Sequence, residues 1–315
     1  FLKPLGKAAR SLAELEKEAA KLPGKVSFCV ARLGSRSPAA LAAVNPDEAL
    51  GIGSAFKLWV LGQLVEDVAQ GKRKWTDVTP LAAARRSLPS GMLQGWPDGS
   101  PVTLHTLASL MISISDNTAT DHLVALLGRE KIERHLAVMG AVTSPRRVPL
   151  LMTSDMFRLK WGTRKDAAKR FIEGDLVGKR AVLAEIDRDP LPEVGAITPE
   201  PKLIAELEWF ASANDLVRTL DWLRAATARD ETARGALSIN NGGVDANGWR
   251  WIGFKGGSEP GVLELAWLLE RSDGAWFTVC IGANDPSGEV SSAKVGSIAQ
   301  RAIELLATTK PAKEY

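Results

Sequence analysis

The strand-like segments of this chain lie at its two ends, separated by roughly 200 residues of mainly helical pattern. KVSFCVARL (25–33) has the length and composition of a strand, and a second short strand is expected near 40–44. The strand pattern returns at WRWIGFKGG (249–257), GVLELAWLLE (261–270) and AWFTVCIGA (275–283). RSDG (271–274) suits a hairpin turn between the last two. Strands at both ends must find their partners in each other, so one shared sheet is expected. The expected class is α+β, with residues 1–50 and 235–315 forming a sheet lobe and 51–234 an all-helical lobe, together one unit. A cleft between two such lobes is a natural place for a site.

Helical spacing is read over 7–21 (stopped by Pro23-Gly24), from Ser54 to Ala69, and over 103–114 and 119–128. Residues 153–175 and 199–228 also read as mainly helical, and 291–307 as an amphipathic C-terminal helix. DRDPLPEVGAITPEP (187–201) reads as an extended surface loop. No internal repeat is found.

With 45% apolar and 24% charged residues among 315, the chain is neither disordered nor collagen-like. A net charge of +3 is too balanced to suggest a nucleic-acid partner. Two cysteines cannot build a disulfide scaffold, and three dispersed histidines (His105, His122, His135) argue against a zinc site. They read as structural or surface residues. No apolar run reaches the roughly 18–20 residues of a membrane span, and no signal peptide is read at the N-terminus.

Three short segments could carry chemistry. Ser54-Ala55-Phe56-Lys57 opens an apolar helix and places a hydroxyl and an amine about one turn apart on one face. A buried, neutral amine could take the hydroxyl proton, and the helix N-terminus could help hold a developing oxyanion. The spacing alone is weak, since it recurs at Ser291 to Lys294, where a cap and a solvated lysine suffice. Ser115-Asp116-Asn117 interrupts two helices and reads either as an N-cap or as a site, with Ser115 a proton relay and Asn117 an amide ligand. Lys255-Gly256-Gly257-Ser258 ends a strand, where the glycines allow a substrate backbone to lie along the edge.

Taken in order, Ser-x-x-Lys, Ser-Asp-Asn and Lys-Gly-Gly are the signature set of the β-lactamases and penicillin-binding proteins. With GIGSAFKLWVLGQL and LMISISDNTATDHLVALLG around the motifs, the chain resembles the penicillin-recognising serine hydrolases, closest to class A β-lactamases, over nearly its whole length. The resemblance implies a five-stranded antiparallel sheet flanked by helices plus an all-helical lobe. It implies an acyl-enzyme at Ser54, with Lys57 as proton acceptor and Ser115 passing a proton to the leaving nitrogen. Asn117 would bind the acylamide group, and Lys255 and Ser258 the substrate carboxylate. The N–H groups of Ser54 and Ser258 would form the oxyanion hole beside Gly257.

No cofactor or metal is implied, and the partner is a small molecule such as a β-lactam. A monomer is expected, and relatives of this kind imply a periplasmic or secreted protein. Cys29 and Cys280 would lie on neighbouring strands as buried free thiols, a cross-strand disulfide being the alternative. Arg146-Arg147 is expected in a solvated loop.

Two departures stand out. Class A enzymes carry a deacylation glutamate in the region that reads TSPRRVPLLMTSDMF here (143–157), where Asp155 is the sole acid. Glu193, Glu200 and Glu206 of the extra segment around 160–205 are candidate replacements or plain surface acids. Gly256 stands where a hydroxyl residue is usual. Rival readings on the same scaffold are a D-alanyl-D-alanine peptidase, an esterase, or a non-turnover β-lactam sensor.

Overall fold

A computed structural model describes residues 8–34, 37–142 and 144–308. Its strands are β1 (Lys25–Leu33), β2 (Ala39–Val44), β3 (Leu50–Gly51), β4 (Val78–Pro80), β5 (Pro101–Thr103), β6 (Phe210–Ala211), β7 (Trp249–Glu259), β8 (Val262–Arg271) and β9 (Trp276–Asn284). Five of them form an antiparallel sheet in the order β2-β1-β9-β8-β7, so the two chain ends pair as expected. The β8–β9 hairpin turns on residues 271–274, with Gly274 at φ 87°. The short β3 and β6 pair with each other, as do β4 and β5.

The sheet is buried on both faces, which the period-two alternation of β1 makes visible. Phe28 and Val30 pack with Leu15 of helix α1 (Leu12–Ala19) and with Ile298 and Ile303 of α11 (Ser292–Thr308). Cys29, Ala31 and Leu33 face the other way, into a larger apolar cluster shared with α2 (Lys57–Ala69), α3 (Leu104–Ser113), α4 (Asn117–Leu127) and later helices. Cys29 and Cys280 are direct cross-strand partners, buried and unbonded.

Helix α2 is buried almost all round, from Lys57 to Val65 without a break. Such a helix is stabilised by its surroundings rather than by one apolar stripe. Each fully buried Leu, Val or Trp there contributes on the order of 1.5–3 kcal/mol of transfer free energy. The turn ahead of α2 that carries Ser54 is tied to the sheet: Asn284, at the end of β9, accepts from Gly51 N (2.7 Å) and donates to Gly51 O (2.9 Å).

The remaining helices are α5 (Arg129–Leu136), α6 (Thr153–Trp161), α7 (Ala167–Glu173), α8 (Leu176–Ile186), α9 (Ala213–Ala226) and α10 (Glu231–Ser238). Several expectations change. The first helix begins at Leu12, where Ser11 caps it by accepting from Glu14 N, rather than at residue 7. Lys7 lies outside the described residues. The stretch 199–212 is not helical: the helix starts at Ala213, where Ser212 and Asp215 form a capping box. Helices α5, α8 and α10 are additional to the sequence expectation. The loop expected at 187–201 is present, with one 3₁₀ turn at Val194–Ala196.

Among the described residues, no helix is long and apolar enough to cross a membrane.

Candidate active site

One residue from each of the three motifs, Ser54, Asn117 and Ser258, lines a cavity of about 340 Å³, together with Ser90 and Trp209 among others. Ser54 is half-buried in a 3₁₀ turn, Gly53–Phe56, that runs directly into α2. The turn is held from behind: Phe56 stacks on Trp209 at 4.0 Å, and Trp209 O accepts from Ile52 N at 2.9 Å. Lys57 follows Ser54 by one turn and is fully buried.

Lys57 Nζ donates to Ser115 O (2.7 Å), Ser115 Oγ (3.0 Å) and Asn117 Oδ1 (2.6 Å). All three are neutral oxygens. Burial therefore pulls the amine well below its usual basicity, and the charge of nearby Lys255 adds to this. Lys255, also buried, donates to Ser115 Oγ at 3.1 Å and to Gly256 O at 2.5 Å. Burial brings it down to about 7. The Ser115 hydroxyl thus bridges two lysines, an arrangement able to pass a proton from one side of the cavity to the other.

Ser115 sits at φ 59°, unusual for a residue with a side chain. The neighbouring Asp116 explains how that conformation is held. It is fully buried and accepts from Ala119 N as the α4 cap, and from Met92 N and Leu93 N of the facing loop. Asn117 opens α4 and donates to Leu88 O at 3.0 Å, so its amide orientation is fixed from both ends. The Ser-Asp-Asn run is therefore a helix cap and a wall of the cavity at once, which joins the two readings of the sequence.

Strand β7 closes the remaining side. A Cβ on Gly257 would fall 2.1 Å from Ile52 O and 2.5 Å from Ser54 N, and one on Gly53 would fall 2.9 Å from Ser258 N. Both glycines are needed because the backbone amides of Ser54 and Ser258 approach one another there. Gly256 is different: its Cβ would meet the Phe254 ring edge at 3.0 Å and Glu264 O at 3.4 Å, a tight but yielding fit.

The acids weighed from sequence lie elsewhere. Glu193, Glu200 and Glu206 are exposed. Asp155 is buried, but it pairs with Arg129 at 2.8 Å and caps α6. Instead the segment before α9 brings Glu208, fully buried, to the cavity, where it accepts from Gly53 N at 3.2 Å and Trp209 N at 3.0 Å. Glu259 of β7 also lines it. A signal for Glu259 was present: the period of two puts Lys255, Gly257 and Glu259 on one face of the strand. For Glu208 the sequence carries no comparable local signal.

His122 accepts from Ala82 N at 2.9 Å, and His135 is buried edge-on to Trp222, both within the helical packing. Arg146 is not simply solvated: its guanidinium lies 3.8 Å from the Phe210 ring centre. No group of three metal-ligating side chains occurs among the described residues.

The beta-lactamase enzyme family described as Beta-lactamase2 matches residues 7–181, more than half of the chain. A β-lactamase from Sphaerobacter thermophilus superposes with a TM-score of 0.65 at 21% identity, over 96% of this chain and 98% of that one. A β-lactamase from Desulfarculus baarsii gives 0.63 at 17%, over 96% and 100%. A point mutant of PBP-A, solved as an acyl-enzyme complex with penicillin G, gives 0.62 at 15%, over 95% and 96%. No curated protein sequence matches the chain.

Proposed function

Because the chain belongs to the beta-lactamase enzyme family, we propose that it is a serine hydrolase that forms an acyl-enzyme at Ser54, with β-lactams as its substrate class. The observation that carries this reading is Lys57: a fully buried amine, one turn from Ser54, hydrogen-bonded to neutral oxygens alone.

In this reading neutral Lys57 takes the proton from Ser54 Oγ as that oxygen attacks the lactam carbonyl. A positioned base contributes about 10²–10⁴-fold to such a step. The N–H groups of Ser54 and Ser258 hold the tetrahedral oxyanion, and each such donor contributes roughly 10²–10³-fold. The C–N bond then breaks. Its nitrogen receives the proton from Lys57 through Ser115 Oγ, leaving an ester on Ser54. Lys255, charged below about pH 7, and the Ser258 hydroxyl take the substrate carboxylate, and Asn117 takes the acylamide. Water then hydrolyses the ester. No cofactor enters any step. The division into a sheet lobe (1–50 and 235–315) and a helical lobe (51–234) belongs to the same reading, with a monomeric, exported protein acting on small molecules.

One observation favours a second reading. The acids considered from sequence as replacements for the class A deacylation glutamate are exposed or engaged in an ion pair, and the two acids that do line the cavity, Glu208 and Glu259, are both engaged with Lys160. Acylation would then outlast the encounter, as in a penicillin-binding or sensor protein, and the acyl-enzyme solved for a PBP-A mutant is a structural neighbour in that sense. Nitrocefin turnover and intact mass with a labelled penicillin, beside Ser54→Ala, decide the matter. Sustained turnover lost in the variant supports a β-lactamase. A one-to-one adduct without turnover supports the sensor. If neither is seen, the β-lactam reading fails and the search turns to D-alanyl-D-alanine peptides and p-nitrophenyl esters.

A further inference from the structure

A second buried charged cluster adjoins the cavity, whose lining includes Glu208 and Glu259. Lys160 of α6 and Glu208 have fully buried side chains, with Lys160 Nζ 3.5 Å from Glu208 Oε1. Lys160 also pairs closely with Glu259 Oε1. Glu208 and Glu259 thus share one cation, and the charge of Glu208 disfavours a second negative charge on Glu259. One proton between them removes the repulsion, and burial accordingly pushes the Glu259 carboxyl up to about 9.

Its place in the chain gives it a task. Glu208 accepts from the N–H of Gly53, the residue before Ser54. Glu259 is the residue after Ser258. The two backbone segments lie close where they carry glycines: a Cβ on Gly53 would fall 2.9 Å from Ser258 N, and one on Gly257 2.5 Å from Ser54 N.

We infer that Lys160, Glu208 and Glu259 form a clamp that fixes the spacing of the Ser54 and Ser258 amides. This rests on the reading of those amides as the oxyanion hole. The three are positioning residues: none needs to touch the reacting atoms, and a shift of a few tenths of an ångström between the amides would misplace the developing charge.

The test compares Glu208→Ala, Glu259→Ala and Glu259→Gln in the full chain. Glutamine keeps a neutral donor toward Glu208, so it should rescue what alanine loses. Hydrogen exchange read by mass spectrometry should rise at least tenfold at residues 53–56 and 257–259 in both alanine variants and stay within threefold of the parent in Glu259→Gln. Stopped-flow acylation by nitrocefin should slow at least tenfold in the alanine variants, with the dissociation constant of the first complex changed less than threefold. Unchanged exchange at both segments in either alanine variant overturns the clamp. So does a loss confined to binding, or a glutamine variant as impaired as alanine. If the parent chain is never acylated, the serine-hydrolase reading fails by itself, and the exchange data still decide the clamp. Should Glu208→Ala not fold, Glu208→Gln and Glu259→Ala carry the same comparison.

Discussion

Three lysines are buried around Ser54, and their surroundings divide them into two kinds. Lys57 and Lys255 are met by hydroxyl, carbonyl and amide oxygens. Lys160 is met by two carboxylates. Buried without a counter-charge, an ammonium gives up its proton readily and becomes a base. Buried with two acids, it becomes a strut. In the proposed reading the same side chain thus supplies reactivity in one place and rigidity in another, and the difference lies largely in what accepts its hydrogen bonds.

The sharpest way to break this contrast is to remove the unpaired amine. Lys57→Met should lower the acylation rate constant by about 10²–10⁴-fold while leaving the fold intact, since a thioether fills the same slot without a charge. A variant acylated at the parental rate would mean that Lys57 is not the base. Next in size is Gly257→Ala, whose new methyl meets Ile52 O and Ser54 N. Its expected loss is about 10²-fold in kcat/KM. Gly256→Ser, one residue earlier, should be tolerated and lower KM a few-fold for carboxylate-bearing β-lactams by supplying a hydroxyl.

A pH profile separates the two unpaired lysines. Lys255 is a cation below about 7 and neutral above it, so a carboxylate-bearing substrate loses its partner as pH rises. Lys57, held well below its ordinary basicity by burial, must be neutral to act. Hence kcat/KM for nitrocefin should fall on the alkaline side of about pH 7, where Lys255 loses its charge, and on the acid side where Lys57 takes up a proton. Lys255→Arg keeps its charge throughout and should flatten the alkaline limb alone. An alkaline limb that survives in Lys255→Arg assigns it to another group.

The smallest effect tests the reverse case, a buried acid without a cation. Glu264 of β8 is buried, and burial holds its carboxyl well above its ordinary 4.5. The folded chain keeps this proton while the unfolded chain releases it above pH 4.5. Glu264 therefore costs no stability below that pH and a growing amount as pH rises. At pH 7 the cost is up to about 3 kcal/mol. Glu264→Gln cannot ionise, so scanning calorimetry should give it a Tm several degrees above the parent at pH 7 and equal to it at pH 4. A constant difference across that range would show that ionisation is not involved.

How much of this was legible beforehand depends on how local the cause is. Ser54, Lys57, Ser115, Asn117 and Lys255 stand in short segments whose residue types are uncommon together, and the period of two or 3.6 places each on its element. The end strands declared themselves because both faces are buried, which leaves near-continuous apolar runs such as GVLELAWLLE. The helices α5 and α10 are eight residues long and bury three residues each, two turns being too short for an apolar period to stand out. Glu208 was hidden for a different reason. Its neighbour Glu206 is exposed and it is not, and only the tertiary path of 199–212 back to the turn at Gly53 separates the two.

The Asn284 amide imitates a peptide group, closing the backbone of Gly51 from the last strand of the sheet. That pairing sets an order in time. A ribosome releases Ser54 about 200 residues, or roughly 10–40 s, before Ser258 and Asn284 follow. Throughout that interval the serine exists without Ser258 beside it and without the anchor of its turn. In the proposed reading, a nascent chain is therefore silent toward acyl donors until β9 has emerged.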